Sequence, residues 1–136
     1  MNKFGKSSEI KLATVEPVLV RVCRRALEIS PYDFGILCGV RDIKEQEKRL
    51  AEGNSTTLKS RHLANKNSLS EAIDFGVYVD GKYINGDPQE EIGYYRKVNQ
   101  AFFTAAIELG VKIEAGDLWR TFVDAGHIQL SEDFKP

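Results

Sequence analysis

The sequence predicts a single α+β domain whose sheet is mainly antiparallel. Three observations predict this class. Segments with helical spacing of apolar residues and short strand-like runs follow each other in mixed order, and an Asp-Gly pair joins two of the strand-like runs as a tight hairpin. The chain has 136 residues, of which 42% are hydrophobic and 29% charged, a size and composition that suit one hydrophobic core. We therefore expect one domain over residues 1–136.

The first part of the chain predicts two helices, a buried strand and a third helix. Ser8 is expected to cap the first helix, because its side-chain oxygen can accept from a free backbone N–H. Pro17 suits the start of the second helix, whose apolar residues recur at helical spacing up to Ser30. The run Phe34–Cys38 predicts a short buried strand. The charged segment Ile43–Glu52 predicts a helix with a solvated face.

The middle of the chain predicts a long loop followed by a hairpin. Residues 53–70 are rich in Gly, Asn, Ser, Thr and Lys and lack periodicity, which predicts an exposed loop, and long loops are often functional. The run Ala72–Val79 predicts a strand. Asp80-Gly81 is a strong two-residue turn signal, and the chain returns through a second strand, Lys82–Ile84.

The last part predicts one long helix and two strands. Pro88 is expected to open the helix and Gly110 to close it. The run Val111–Ile113 predicts a strand, and a loop over Gly116–Gly126 leads to a final strand, His127–Leu130. All of the predicted elements fit within a single domain without an internal linker.

Charge and hydropathy exclude several classes of function. Nineteen Lys and Arg against twenty Asp and Glu give a net charge of −1, so no basic field favours nucleic acid or an anionic membrane surface. No apolar stretch is long enough to span a bilayer, and the first residues lack the apolar core of a signal peptide. Cys23 and Cys38 show no metal-ligand spacing and are expected to be small core residues in a reducing compartment.

The candidate chemistry lies at the chain's two histidines. His62 falls in the polar loop, and His127 begins the last strand, with Asp124 three residues earlier. Asp74 lies between apolar residues of a predicted buried strand, where a carboxylate is costly without a compensating cation or hydrogen-bond donors. Two histidines and a carboxylate form a known catalytic zinc ligand set. From the residues alone, an Asp74 that caps a turn and two solvated histidines remain an equal alternative.

Three short motifs resemble the metal-binding pattern of the peptidase M15 family. They are Ser60-Arg61-His62, Ala72-Ile73-Asp74 and Asp124-Ala125-Gly126-His127. That family contains D-alanyl-D-alanine carboxypeptidases and dipeptidases and the L-alanyl-D-glutamate endopeptidases of tailed-phage endolysins. Gly39-Val40-Arg41 with Gln46, and Gly116-Asp117-Leu118-Trp119, resemble further family segments, and the stretch over residues 12–34 is similar to the phage members in particular. The resemblance implies the fold shared by Hedgehog proteins and these DD-peptidases.

The resemblance also implies roles for individual residues. His62, Asp74 and His127 would hold Zn²⁺, Asp124 would act as general base, and Arg41 would stabilise the oxyanion or anchor a substrate carbonyl or carboxylate. Weaker candidates for substrate contact, or for shaping the cleft, are Ser60, Gln46 and Trp119. Three simpler interpretations stay open: Asp124 as a turn residue, Arg41 paired with a surface acid, and Trp119 in a packing role. Gln129 is expected to share a strand face with His127 and to support it.

One spacing departs from the family pattern. His62 and Asp74 are twelve positions apart, five more than in the family, and Ser70 replaces a glycine that normally lies between them. Without a gap, Asn67 would stand where the histidine belongs, and an amide is a poor zinc ligand. Because the Ser-x-His triplet is intact, we place an insertion within Asn65–Leu69, which a loop accommodates at little entropic cost.

The predicted function is that of a zinc peptidase acting on bacterial peptidoglycan stem peptides, at the L-alanyl-D-glutamate bond. The resemblance implies a phage endolysin: a monomer that is made in the host cytoplasm without a signal peptide and reaches the cell wall after holin-dependent release. It predicts no nucleic-acid partner and no membrane insertion. The alternatives are a D-Ala-D-Ala carboxypeptidase or dipeptidase, and a non-catalytic cell-wall-binding domain.

Overall fold

A computed structural model describes residues 3–53, 60–85, 91–116 and 125–134 of the chain. The helices are α1 (Lys6–Leu12), α2 (Pro17–Ile29), α3 (Ile43–Ala51) and α4 (Ile92–Leu109). The strands are β1 (Asp33–Cys38), β2 (Ala72–Val79), β3 (Lys82–Ile84), β4 (Ile113–Ala115) and β5 (His127–Leu130). The order of helices and strands confirms the predicted α+β class.

The five strands form one antiparallel sheet with β2 at its centre. The order is β1-β2-β5-β4, and β3 pairs with the far end of β2. Every pairing between named strands is antiparallel, as predicted. The register places Cys38 of β1 and His127 of β5 on either side of Asp74 in β2. Directly paired residues of antiparallel strands point to the same face, so these three side chains share one face of the sheet.

The opposite face of β2 packs into the hydrophobic core. Ile73, Phe75 and Val77 alternate with Asp74 along the strand and are fully or almost fully buried. The ring of Phe75 stacks on Phe102 of α4 at a centroid distance of 5.1 Å. Alternation along β2 therefore directs its apolar residues into the core and the Asp74 carboxylate to the other face.

The predicted start of α1 is wrong, and the predicted end of α4 is confirmed. Ser8 does not cap α1, which begins at Lys6 after Gly5. Its hydroxyl is buried and accepts from the backbone N–H of Ile36 at 2.9 Å, so it joins α1 to β1 instead. Gly110 ends α4 as predicted, with a φ of 70° in the left-handed region that glycine adopts without steric cost.

Several predicted boundaries shift in the structure. The strand expected over Val111–Ile113 lies two residues later, at Ile113–Ala115, where it pairs with β5. Pro88, the expected start of the long helix, lies outside the described residues. In residues 60–70 the predicted loop is confirmed, and Ala64 and residues 66–68 are exposed as expected, but His62 and Ser70 are buried. In the described part of the chain, no helix is both long and apolar enough to cross a membrane.

Candidate metal centre

His62 is held by a short turn that packs against the end of β1. The backbone N–H of His62 donates to the Ser60 hydroxyl at 3.2 Å, which tightens the turn. The backbone N–H of Arg41 donates to the carbonyl of His62 at 2.8 Å, and Arg41 and Leu63 form an isolated parallel bridge. These bonds bury the imidazole to 1% exposure on the Asp74 face of the sheet.

One ring nitrogen of His62 is already used by the backbone. Nδ1 lies 2.9 Å from the carbonyl oxygen of Gly39, which can only accept, so Nδ1 carries the hydrogen of the neutral ring. The other nitrogen, Nε2, is 3.1 Å from Oδ1 of Asp74, is buried, and has no hydrogen-bond partner. Nε2 is therefore the ring nitrogen that a ligand could use once the ring is in its neutral form.

His127 mirrors this arrangement from the neighbouring strand. Its Nδ1 lies 3.1 Å from the same Oδ1 of Asp74, and its Nε2 lies 2.9 Å from the amide oxygen of Gln129. The structure thus confirms the predicted contact of Gln129 with His127. The two imidazole rings are 5.0 Å apart at an interplanar angle of 74°. Two ring nitrogens and one carboxylate oxygen converge, while each outer ring nitrogen is held by an acceptor.

The surroundings of His62 and Asp74 strongly shift the pKa values of both residues. Burial alone would lower the pKa of His62, but the adjacent Asp74 carboxylate and Cys38 thiol outweigh it and raise the pKa to about 9. Burial alone would raise the pKa of Asp74, but its contacts with His127 and His62 hold that pKa well below its usual range. Both shifts show a site that favours a positive charge beside an ionised carboxylate.

Arg41 lies against the second oxygen of Asp74 and is also bonded to Gln46. Nη2 of Arg41 donates to Oδ2 of Asp74 at 3.3 Å, and Nη1 donates to the amide oxygen of Gln46 at 2.6 Å. Gln46 is fully buried on α3, a helix whose first turn is capped by Asp42. The Arg41 partner is therefore the partly buried acid of the site rather than a surface acid.

Comparisons with known proteins agree with one another. The model of a family described as phage L-alanyl-D-glutamate peptidase matches residues 1–131. An L-alanyl-D-glutamate peptidase of Escherichia phage T5 is 39% identical over 94% of this chain and 97% of its own length. The chain belongs to this family. A solved structure, the L-Ala D-Glu endopeptidase ChiX of Serratia marcescens, matches with a TM-score of 0.82 and 34% identity over 95% of this chain and 90% of that one.

In this family member, the contacts of residues 65–67 support the placement of the insertion. Asn67 is exposed, and its side-chain amide donates to Oε1 of Glu16 at 2.9 Å. Asn65 donates to the same oxygen at 2.7 Å. The extra residues of this family member therefore fold over the start of α2, whereas His62 occupies the position beside Asp74.

Cys38 lies beside His62 and Asp74, which its sequence context does not predict. The prediction of a core residue is right for Cys23, which is fully buried, but wrong for Cys38, which is half-buried beside polar groups. Its sulfur, a His62 ring nitrogen and an Asp74 oxygen all lie within 4.8 Å of one another. The available signal was its position as the last residue of a strand, three residues before Arg41.

Two predicted site residues, Asp124 and Trp119, lie outside the described residues. Of the others, the structure brings together Arg41, Gln46, Asp74, His62 and His127, with Ser60 supporting the His62 turn.

The donor set fits a divalent metal ion. His62 Nε2 and His127 Nδ1 both face Oδ1 of Asp74 at 3.1 Å, and the buried Nε2 of His62 has no hydrogen-bond partner. A cation bound here would face an ionised carboxylate and would replace the ring protons that these contacts favour. Imidazole and carboxylate are ligands that zinc accepts, and each outer ring nitrogen is bonded as in known histidine–metal sites.

Proposed function

We propose that the chain is a zinc metallopeptidase that hydrolyses the L-alanyl-D-glutamate bond of bacterial peptidoglycan stem peptides. The observation that carries the proposal is the convergence of His62 Nε2 and His127 Nδ1 on Oδ1 of Asp74, each at 3.1 Å. The phage T5 and Serratia relatives, which are 39% and 34% identical to this chain, are named for the L-alanyl-D-glutamate bond and so indicate which bond is cleaved.

His62, Asp74 and His127 are the residues that would hold the ion. Zinc bound by three protein ligands supplies a Lewis acid and activates water as a nucleophile near neutral pH. Gly39 and Gln129 orient the imidazoles by accepting from Nδ1 of His62 and Nε2 of His127. Because these partners fix the rings before any ligand arrives, little reorganisation is required on binding.

Asp124 is proposed as the general base. The proposal rests on its sequence position, three residues before His127, where the family motif carries an acid. The carboxylate would accept a proton from the attacking water and later deliver it to the departing amine of D-glutamate. The C–N bond breaks as the new C–O bond forms, so L-alanine gains the carboxylate and D-glutamate the free amine.

Arg41 is proposed to stabilise the oxyanion or to anchor a substrate carbonyl or carboxylate. Its guanidinium is held by Gln46 and Asp74, and its buried Nε–H has no acceptor among the described residues. A fixed cation in a buried site acts electrostatically without reorganisation. The full burial of Gln46 supports a role in positioning Arg41. Ser60 and Trp119 are proposed to contact the substrate.

The biological setting follows from the same family. We propose that the chain acts as a monomeric endolysin that reaches the peptidoglycan after a holin opens the inner membrane. The family match over residues 1–131 and the phage T5 relative support this setting.

Mass spectrometry of purified peptidoglycan after digestion tests the bond. We expect new L-alanine carboxyl termini and new D-glutamate amino termini, and none with the His127→Ala variant. A substrate whose C-terminal carboxylate is blocked should still be cleaved. Release of only terminal D-alanine would instead establish a carboxypeptidase, and wall binding without new termini would establish a binding domain.

A further inference from the structure

A small apolar patch lies on the Asp74 face of the sheet, further along β2. Gly76 follows Asp74 by two residues and therefore belongs to the same face of the strand. Leu37 of β1 and Tyr83 of β3 lie over this glycine from either side, and they are 43% and 45% exposed. We call Leu37, Gly76 and Tyr83 the glycine patch.

Gly76 allows both side chains to rest directly on the backbone of β2. A Cβ at this position would lie 2.5 Å from Cε1 of Tyr83 and 3.1 Å from Cδ1 of Leu37. A glycine inside a strand often marks such a close approach. The Tyr83 ring also contacts the ring of Tyr78, its partner across the strands, at a centroid distance of 5.7 Å. The patch is thus fixed by its neighbours and still accessible to solvent.

The glycine patch is continuous with the candidate metal centre. Successive residues on one face of a strand are about 6.6–6.8 Å apart, which is the separation of Gly76 from Asp74. Beyond the patch, Asp33 pairs directly with Tyr78 and so shares this face. The face therefore runs from the metal centre over an apolar surface to an acidic residue.

The substrate has different chemistry on the two sides of the proposed bond. On one side, L-alanine is joined to the lactyl group of N-acetylmuramic acid, and this extended link places the sugar about 7 Å from the carbonyl carbon that is attacked. On the other side, D-glutamate carries a free carboxylate, which Asp33 would repel. The C–H groups of a sugar ring pack well on an aromatic side chain, and a tyrosine hydroxyl adds a hydrogen-bonding group. Both the spacing and the charge favour the sugar side.

We propose that the glycine patch binds the N-acetylmuramoyl sugar of the substrate, with the Tyr83 ring as its main contact. The inference rests on the proposed function. The contact orients the stem peptide along β2, with L-alanine towards Asp74 and the sugar over Gly76. Because the sugar takes no part in the reaction, the contact is equally strong in the ground state and the transition state and acts on KM rather than kcat.

Two substrates that differ only in the glycan test this contact. A muramidase releases muramoyl peptides from purified peptidoglycan, and mild alkali removes their sugar by β-elimination to leave the lactoyl peptides. We expect the parent to cleave the muramoyl peptide with a kcat/KM about tenfold higher, through a lower KM. Tyr83→Ala should abolish this preference, whereas Tyr83→Phe, which keeps the ring, should retain most of it.

Two further variants serve as a second test and a control. Leu37→Ala truncates the other side chain of the patch and should reduce the preference about two- to threefold. Ile107→Ala removes an apolar side chain that is 80% exposed on α4, the helix that packs on the opposite face of the sheet, and should keep the parent preference. Thermal unfolding midpoints show whether each variant is folded.

Product inhibition of the parent chain tests the sugar contact without any substitution. N-acetylmuramoyl-L-alanine should inhibit cleavage of the lactoyl peptide about tenfold more strongly than lactoyl-L-alanine does, because only the first carries the sugar. Equal inhibition by the two compounds would overturn the proposal.

The outcomes separate this inference from the proposed function. If the parent cleaves neither substrate at the L-alanyl-D-glutamate bond, both fail. If the parent cleaves both substrates equally well, the patch does not bind the sugar and the proposed function stands. If folded Tyr83→Ala loses the same factor on both substrates, the patch contacts the peptide instead, and the sugar assignment is wrong.

Discussion

Nε2 of His127 lies 2.9 Å from the amide oxygen of Gln129, two residues further along the same strand. Because an amide oxygen only accepts, Nε2 carries a hydrogen in this contact, and Nδ1 is the ring nitrogen that faces Oδ1 of Asp74 at 3.1 Å. Strand periodicity creates this pair, since residues i and i+2 share a face. The orientation of a proposed metal ligand is thus set within one strand.

Replacing Gln129 should therefore weaken metal binding. Gln129→Leu removes the acceptor, and we expect zinc affinity to fall about 10- to 100-fold, as for other residues that support a metal-bound histidine. Gln129→Glu keeps an oxygen acceptor and should lose much less. Competition with a chromophoric chelator measures the affinities. Gln100→Leu, on the exposed side of α4, is the control, and an equal loss there would refute the supporting role.

If the insertion lies within Asn65–Leu69, alanine substitutions of His62 and Asn67 should have opposite effects on zinc binding. His62→Ala should lose zinc, because it removes a proposed ligand. Asn67→Ala should keep zinc and lose only about 1 kcal/mol of unfolding free energy, since it deletes one hydrogen bond to Glu16 that Asn65 partly replaces. Zinc analysis and urea denaturation measure the two effects. Loss of zinc in Asn67→Ala alone would favour the alignment without a gap.

Gly126 holds the chain against β2 directly before His127. A Cβ at this position would lie 2.6 Å from the backbone oxygen of Phe75, whose N–H donates to the Gly126 carbonyl at 2.8 Å. Gly126→Ala should therefore cost about 1–3 kcal/mol of stability. Denaturant midpoints measure the change.

Gly93→Ala is the matched control for this substitution. Gly93 lies in the first turn of α4, and a Cβ there would meet nothing within 4 Å. The variant should be stabilised by up to about 1 kcal/mol, since alanine is the better helix former. If both alanine variants changed the unfolding free energy in the same direction and by the same amount, the close approach at Gly126 would not contribute to stability.

Asp124→Asn separates proton transfer from metal binding. The amide cannot accept the proton of the attacking water, so turnover should fall by about 10²- to 10⁴-fold while the zinc content stays at the parent level. Cleavage of a stem-peptide substrate and zinc analysis on the same preparation measure both. An Asp124→Asn variant with parent turnover would show that another group is the base.

Local patterns predicted most of the fold. Alternation in β2, the Asp-Gly turn before β3 and the glycine after α4 each depend on neighbouring residues, and the structure has all three where they were expected. Ser8 was misassigned because its hydroxyl bonds to Ile36 of β1, a partner 28 residues away. A side chain that can cap a helix can equally satisfy a strand N–H, and only tertiary structure decides between them.

The site was only partly predictable for the same reason. His62, Asp74 and His127 are distant in the sequence, and the family motifs named them, while the fold brings them together. Cys38 was missed because its neighbours in sequence are apolar or glycine, whereas its neighbours across the sheet are polar. The turn at residues 60–63 belongs to no helix or strand, so its sequence lacks the periodicity that would indicate burial. His62 is buried there because the backbone of the turn bonds to Arg41.

The most direct test of the metal centre is the zinc content of four proteins after dialysis against a competing chelator. The chelator is chosen to leave the parent loaded and to strip a site a hundredfold weaker. The account predicts about one zinc per chain in the parent and far less than half in His62→Ala, Asp74→Ala and His127→Ala. A fully loaded, correctly folded variant of any of the three would contradict it.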